Sequence, residues 1–306
     1  MIHTSKKGEW LEMNIPMEWQ EYSLETLMRE FWQAPKKLIH LFRTDKKVRI
    51  NGKNPDWTLP LMKGDRLQLH LFIEEDFLIV PEYQNADILY EDDHLIIFNK
   101  PAGIDTHPNE AGQTGTLANA AAFHMQSNGE VTRPRHIHRL DRDTTGAVLF
   151  AKHALIGAIL DKMLEERLIK RTYLALTDGM IRQKKGTINK PIGRDRHHPT
   201  RRRVSDTGQK AITHFKVVSR MKEEYLTLIE CSLDTGRTHQ IRVHFSDFGH
   251  PLAGDSLYGG SDTFQRQALH AVKLEFVHPF TQEGITCHAP FIDNPPIFTH
   301  IDASQI

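Results

Sequence analysis

Within the nine residues Arg135 to Asp143 the chain places two histidines, three arginines and two aspartates, and after Thr144-Thr145 it runs straight into the apolar stretch Gly146–Ala151. A stretch that apolar has to be buried as a strand, whereas the groups at its mouth must stay wet or find partners, since an unpaired polar group in an interior costs about 2 kcal/mol or more. Any fold for this chain therefore needs a buried strand whose leading end opens on a polar cleft. Such a cluster reads as a site; a solvated loop of salt bridges is the plainer alternative. The His136-x-His138 spacing also permits a metal reading, because alternate strand positions put both imidazoles on one face, with further ligands supplied from elsewhere. By the same alternation Asp141 and Asp143 share a face, so spacing does not choose between them.

A second cluster spans Leu233 to Phe245. After the Gly236 turn, Thr238 is placed to cap a helix whose Ile241, Phe245 and Phe248 form an apolar face and whose His239, Arg242 and Ser246 form a polar one. A guanidinium on that face could pair with a carboxylate across the cleft; otherwise this is a surface helix with ordinary charge. No GxGxxG follows a strand, and GxxxxGK[ST] and GxSxG do not occur. Nicotinamide, flavin or ATP bound in those ways, and serine hydrolase chemistry, are not expected.

Ser23 is a plausible N-cap for a helix carrying Leu24, Leu27, Met28 and Phe31 and ended by Pro35, and a second short helix covers Lys36 to Phe42. Val48 to Lys53 alternates up to an Asn-Gly turn, and Gly64-Asp65 introduces the strand from Arg66 to Leu71. Together these make a unit of residues 1–80, and the acidic stretch after Phe72 reads as a linker, with residues 81–90 leading into a larger unit of residues 81–306. There, strands at Leu95–Phe98, Gly146–Ala151, Tyr173–Leu176 and Tyr225–Leu233, with a helix over Ala154–Leu168, arrive without regular strand-helix alternation. That favours α+β over a doubly wound parallel sheet.

Lys plus Arg and Asp plus Glu balance at 39 each, but unevenly: Lys36 to Lys53 holds seven bases and one acid, Arg182 to Arg203 nine bases and one acid, and Glu74 to Asp93 eight acids and no base. Such asymmetry suits a polyanion partner, or only a solvated face. No apolar stretch approaches the ~20 residues a membrane helix requires. Cys231 and Cys287 form no CxxC, so a reducing cytoplasm is the expected compartment.

His138-Arg139-Leu140-Asp141-Arg142-Asp143-Thr144-Thr145-Gly146 closely resembles the catalytic motif of the RluA-type pseudouridine synthases. In the family's order, Asp92 to Gly103 running to His107-Pro108 resembles its opening motif, and Lys170 to Leu176 its tyrosine strand. Thr235 to His244, with Gly249-His250-Pro251 and Gly254-Asp255 to Tyr258-Gly259, resembles its arginine motif. The resemblance covers about residues 89 to 300. Residues 22 to 76 resemble an S4 RNA-binding module through Val48 to Gly52 and Gly64-Asp65, with Ala34-Pro35-Lys36-Lys37 where that pattern has Ser-Arg.

The resemblance implies a pseudouridine-synthase fold with a large, mainly antiparallel mixed sheet behind a small α+β S4-like module, and an isomerase that converts uridine in structured RNA to pseudouridine. Ribosomal RNA is the favoured substrate over transfer RNA. It implies no cofactor and no metal, an RNA partner, no membrane and a monomer. Asp141 becomes the catalytic carboxylate, with Arg242 as the cation favouring its ionised form and Tyr173 against the uracil; Asp143 is left to hydrogen-bond near Thr144 and Thr145. The RNA-contacting set is His138, Arg139, Arg194, Arg201, Arg202 and Arg203, with Lys36, Lys37, Lys46 and Lys47 from the module; Arg139 is the candidate to fill the vacated base stack. The competing readings are a metal-dependent hydrolase built on His136 and His138 and a non-catalytic RNA-binding protein.

Overall fold

The computed structural model describes residues 2–299 and 301–303. Its first unit is a four-stranded antiparallel sheet of β1 (Thr4–Lys7), β2 (Trp10–Asn14), β3 (Val48–Ile50) and β4 (Arg66–His70), in the order β1-β2-β4-β3. The first two strands were not anticipated. Met13, Leu11, Leu67 and Leu69 are buried where the two middle strands pair, while the exposed edge strand β1 is almost wholly polar.

Ser23 does cap the following helix, its hydroxyl accepting from the Thr26 amide. After α1 (Leu24–Thr26), however, the chain widens into a π-helix over Leu27–Phe31. The wider turn brings Leu24, Leu27, Met28 and Trp32 into the core together. Pro35 does not end that helix; it opens α2 (Lys36–Thr44), where a missing amide hydrogen is harmless.

The second unit is one ten-stranded sheet. Its strands are β5 (Asp87–Glu91), β6 (Leu95–Lys100), β7 (Arg135–His136), β8 (Thr145–Ala151), β9 (Lys170–Asp178), β10 (Lys185–Asn189), β13 (Ile212–Met221), β14 (Leu226–Leu233), β15 (Leu269–Val277) and β16 (Gly284–His288). A separate two-stranded ribbon pairs β11 (Ile192–Arg194) with β12 (Arg202–Val204). The main path runs β10-β13-β14-β9-β15-β8-β6-β5, and only β15 and β8 are parallel. The mainly antiparallel α+β sheet is thus as expected. Among the described residues the α-helices of this unit are α3 (Leu117–Ser127), α4 (Ala154–Glu165) and α5 (Gln240–Asp247).

Every residue of β8 is buried, because the sheet is covered on both faces. Ala147, Leu149 and Ala151 point into one cluster with Leu155 and Ile159 of α4; Val148 and Phe150 point into another with Leu117 of α3 and Ile241 and Phe245 of α5. The first cluster continues without a break into the N-terminal unit, where Trp32 packs edge-on against Phe280 at 5.3 Å. Four acids of the stretch that reads as a linker have partners in the fold, while Glu74, Asp76, Asp87 and Asp93 are exposed. Glu75 pairs with Arg135, Glu82 accepts from the Gly115 amide, Glu91 holds Lys152 and His124, and Asp92 caps the His94 and Leu95 amides.

Candidate active site

The segment carrying the two aspartates is not extended. The Thr144 amide bonds back to the Asp141 carbonyl, making residues 141–144 a tight turn between β7 and β8, so Asp141 and Asp143 do not alternate on one strand face. The opening motif clamps this turn. Lys100, fully buried, donates from Nζ to the carbonyls of Pro101, Ile104 and Arg142, each at 2.8 Å. The Thr106 hydroxyl exchanges bonds with the Leu140 amide and carbonyl. Burial pushes the Lys100 ammonium down to about 7.

From the other side Arg266 donates to the Asp143 carbonyl and the Thr145 hydroxyl, and Gln267 to the Thr144 hydroxyl. The threonines are therefore held by Arg266, Gln267 and His270 rather than by the Asp143 carboxylate, a correction to the expected role of that residue. Gly146 ends the turn with φ +114 at the parallel pairing of β8 with β15, where a Cβ would collide with the Ala271 carbonyl. Only glycine allows both that conformation and that approach.

Asp141, Tyr173 from β9 and Arg242 from α5 line one cleft of about 580 Å³, floored by Leu269 and walled by Leu164 and Asp161 of α4. The guanidinium Nη1 reaches Asp141 Oδ2 at 3.1 Å. Its two-pronged grip, though, is on another residue: Nε and Nη2 bind the two oxygens of buried Asp255 at 2.7 and 2.9 Å. The expected Arg242–Asp141 pair is thus made by a single bond from an arginine anchored elsewhere. Tyr258 lies 4.9 Å from the guanidinium, and its hydroxyl joins His239 Nδ1 to the Arg202 amide. The buried Tyr173 hydroxyl has its pKa raised, first by burial and further by Asp141, against the opposing pull of Arg171. It is a protonated phenol at neutral pH, able to donate.

Thr238 is not the cap of α5. His239 occupies that position in a left-handed conformation, φ +58, without a capping side chain, and Gln240 folds back to accept from the Arg237 amide and the Thr235 hydroxyl. The helix is buried from Gln240 to Phe245 and is no amphipathic surface helix. His239 Nε2 stands 3.9 Å from Asp141 Oδ2; burial, only partly offset by Asp141, lowers its pKa.

The sequence assigned no site role to Asp255, Tyr258, Lys100 or Arg266, and placed His239 only on the polar helix face beside Arg242. Asp255, Tyr258, His239 and Lys100 lie inside the family-like motifs, but nothing in their spacing reveals what they touch.

The expected RNA contacts divide. Arg139 is exposed at the cleft rim. His138 is buried in the cleft lining, with Nε2 accepting from the Leu149 amide, and burial drives its pKa well down, so the imidazole is neutral. His136 instead stacks on His107, so the two imidazoles do not converge. Among the described residues no three His, Cys, Asp or Glu side chains are placed to hold a metal.

The β11–β12 ribbon docks on α5 through Ile192, Val204, Val243 and Tyr258. Arg194 and Arg203 are exposed on it, Arg202 is half-buried, and Arg201 is bound to Asp195 at 2.7 Å. In the N-terminal unit Lys36, Lys37 and Lys46 are exposed, and Lys47 lies 3.7 Å from Asp45.

The chain's sequence matches the family described as "RNA pseudouridylate synthase" over residues 94–247 and the "RluD ribosomal pseudouridine synthase N-terminal domain" over residues 11–67. It is 52% identical over 288 residues, 94% of this chain and 95% of the relative, to the Bacillus subtilis protein named "Uncharacterized RNA pseudouridine synthase YhcT". It is 42% identical over 300 residues, 92% of this chain and 79% of the relative, to "Ribosomal large subunit pseudouridine synthase D" of Neisseria meningitidis serogroup A. Among solved structures it resembles human RNA pseudouridylate synthase domain containing 1, with a TM-score of 0.55 and 25% identity over 72% of this chain and 92% of that one.

Proposed function

The chain belongs to the RNA pseudouridine synthase family and is an isomerase acting on RNA, and from that premise we propose that Asp141 is its catalytic carboxylate, Arg242 its charge partner and Tyr173 the phenol against the uracil. The reaction breaks the bond from ribose C1′ to N1 of uracil, turns the base, and joins C1′ to C5; the C5 proton leaves and N1 gains one, so no redox step is involved. The observation that carries this assignment is the Arg242 guanidinium, held on two oxygens by Asp255 and presenting its remaining nitrogen to Asp141 at 3.1 Å. An ion so fixed keeps a carboxylate aimed inside a cleft without itself swinging to substrate phosphate. A binding protein has no use for that arrangement, because a carboxylate facing RNA repels it.

The substrate we propose is ribosomal RNA, supported by the N-terminal family match and by relatives named as large-subunit ribosomal synthases. The target uridine must be flipped out, at a cost of about a few kcal/mol. Arg194, Arg202 and Arg203 on the ribbon beside α5 supply phosphate contacts, and Arg139 stacks in the space the base leaves. The unit at residues 1–80 acts as an S4-like RNA-binding module ahead of the catalytic unit at 81–306, contributing Lys36, Lys37, Lys46 and Lys47. The enzyme works as a cytoplasmic monomer; among the described residues no helix is long and apolar enough to cross a membrane.

Pseudouridine mapping of ribosomal and transfer RNA from cells with and without this gene tests the substrate: loss of a ribosomal site supports it, and loss confined to transfer RNA refutes it. For Arg139, full activity of Arg139→Ala on structured RNA removes the stacking role.

A further inference from the structure

Beside the catalytic cleft lies a second one, of about 530 Å³, bounded by residues 78–80, the loop 107–113 and residues 133–136. His136 lines both clefts, so the two adjoin at one side chain. That imidazole lies face to face with His107, ring centroids 4.1 Å apart and 9° from parallel. Burial, helped by the neighbouring Arg139, lowers both pKa values, that of His136 to about 4. Two neutral rings stack at pH 7 without repulsion. His107 Nδ1 is shielded from solvent and has no hydrogen-bond partner among the described residues.

The charges around the cleft are unequally committed. Arg135 is spent on Glu75 and on the Arg133 carbonyl. Arg133 is exposed, and among the described residues no carboxylate pairs with it; Glu110 is the acid of the lining. Across His136, on the catalytic side, stands the exposed Arg139.

We propose that this second cleft holds the nucleotide next to the target uridine, its base against the His107–His136 pair and its phosphate toward Arg133. The inference rests on the reading that the catalytic cleft takes a uridine flipped out of RNA. Flipping bares one face on each of the two neighbouring bases; where Arg139 covers one of them, a flat neutral ring pair restores stacking for the other whatever the base. Arginine supplies the phosphate contact, which positions the strand without reading sequence. Adjacency to the catalytic cleft favours a nucleotide of the same strand over a separate small ligand.

The test uses the full chain and large-subunit ribosomal RNA transcribed with uridine tritiated at C5. His107→Ala and Arg133→Gln are each expected to raise KM for this RNA about tenfold, while kcat falls less than threefold. His107→Phe, which keeps a flat ring, should return KM to near the parent value, a rescue that a merely structural role for His107 does not predict. In 4-thiouridine-substituted transcripts the parent should crosslink within the loop 107–113. Unchanged KM in both His107→Ala and Arg133→Gln overturns the second-cleft reading, as does an alanine-like KM in His107→Phe. If the parent releases no tritium from ribosomal RNA, the ribosomal assignment fails instead, and the same variants are compared on transfer RNA transcripts. No release from either RNA refutes the isomerase reading beneath both.

Discussion

Replacing Arg242 with lysine keeps the charge and removes the geometry, which makes Arg242→Lys the sharpest probe of the site. The guanidinium makes three bonds to two carboxylates: two to Asp255, at 2.7 and 2.9 Å, and one to Asp141, at 3.1 Å. A lysine nitrogen falls about where the arginine Cζ stands, one C–N bond of ~1.33 Å short of Nη1. It therefore lies up to roughly 4.4 Å from the Asp141 oxygen, outside hydrogen-bond range. Asp255, 1% exposed, is the carboxylate that least tolerates losing its cation, so the ammonium stays with it and Asp141 loses its partner. A hydrogen bond to a charged group contributes about 1.5–3 kcal/mol, and at 1.36 kcal/mol per tenfold the expected loss of turnover is roughly 10- to 150-fold.

Single-turnover tritium release at saturating enzyme measures it, with filter binding to confirm RNA affinity within threefold of the parent and a thermal melt to confirm folding. Asp255→Asn should also lose turnover, because it acts only by aiming Arg242. The double variant should therefore lose far less than the product of the two single effects. A lysine variant turning over within threefold of the parent would refute the reasoning, and so would multiplicative losses.

Asp141→Asn should bind RNA and release no tritium, whereas Asp143→Asn should keep measurable activity, since Arg266 holds Asp143 by its carbonyl; the paired release assay decides. Trp32→Ala should destabilise the whole chain by about 3–5 kcal/mol, because Trp32 joins Trp19 to Phe280 across the two units; denaturant unfolding with an unchanged midpoint would contradict the shared core. Stability should fall as pH is lowered from 7 to 5. His94 and His270 are held neutral in the fold, at about 3 and 4, while the unfolded chain takes up protons near 6.5. Their contribution is complete above that pH and about 2 kcal/mol smaller for each at pH 5, which a melting temperature unchanged between the two pH values would disprove. Lys36→Gln with Lys37→Gln should flatten the salt dependence of RNA affinity by about one to two contacts in slope; an identical slope would show that α2 does not meet phosphate.

What the sequence determined by itself was local. The apolar run after Thr144 had to be a buried strand, Ser23 had to cap a helix, and the strands without alternating helices had to form an α+β sheet, since each depends on the order of neighbours along the chain. The four ordered motifs likewise marked Asp141, Tyr173 and Arg242. What neighbours could not say was which groups would leave water together. Arg242 meets Asp141 from 101 positions away, yet its grip goes to Asp255, because that carboxylate is sealed by the same helix and turn that bury the guanidinium. His138 reads as polar beside Arg139, but strand pairing turns it inward to the Leu149 amide. The acidic stretch after Phe72 gave no sign that Glu75, Glu91 and Glu82 would meet Arg135, Lys152 and the Gly115 amide. A charge pairs with whatever is buried beside it, and only packing decides what that is.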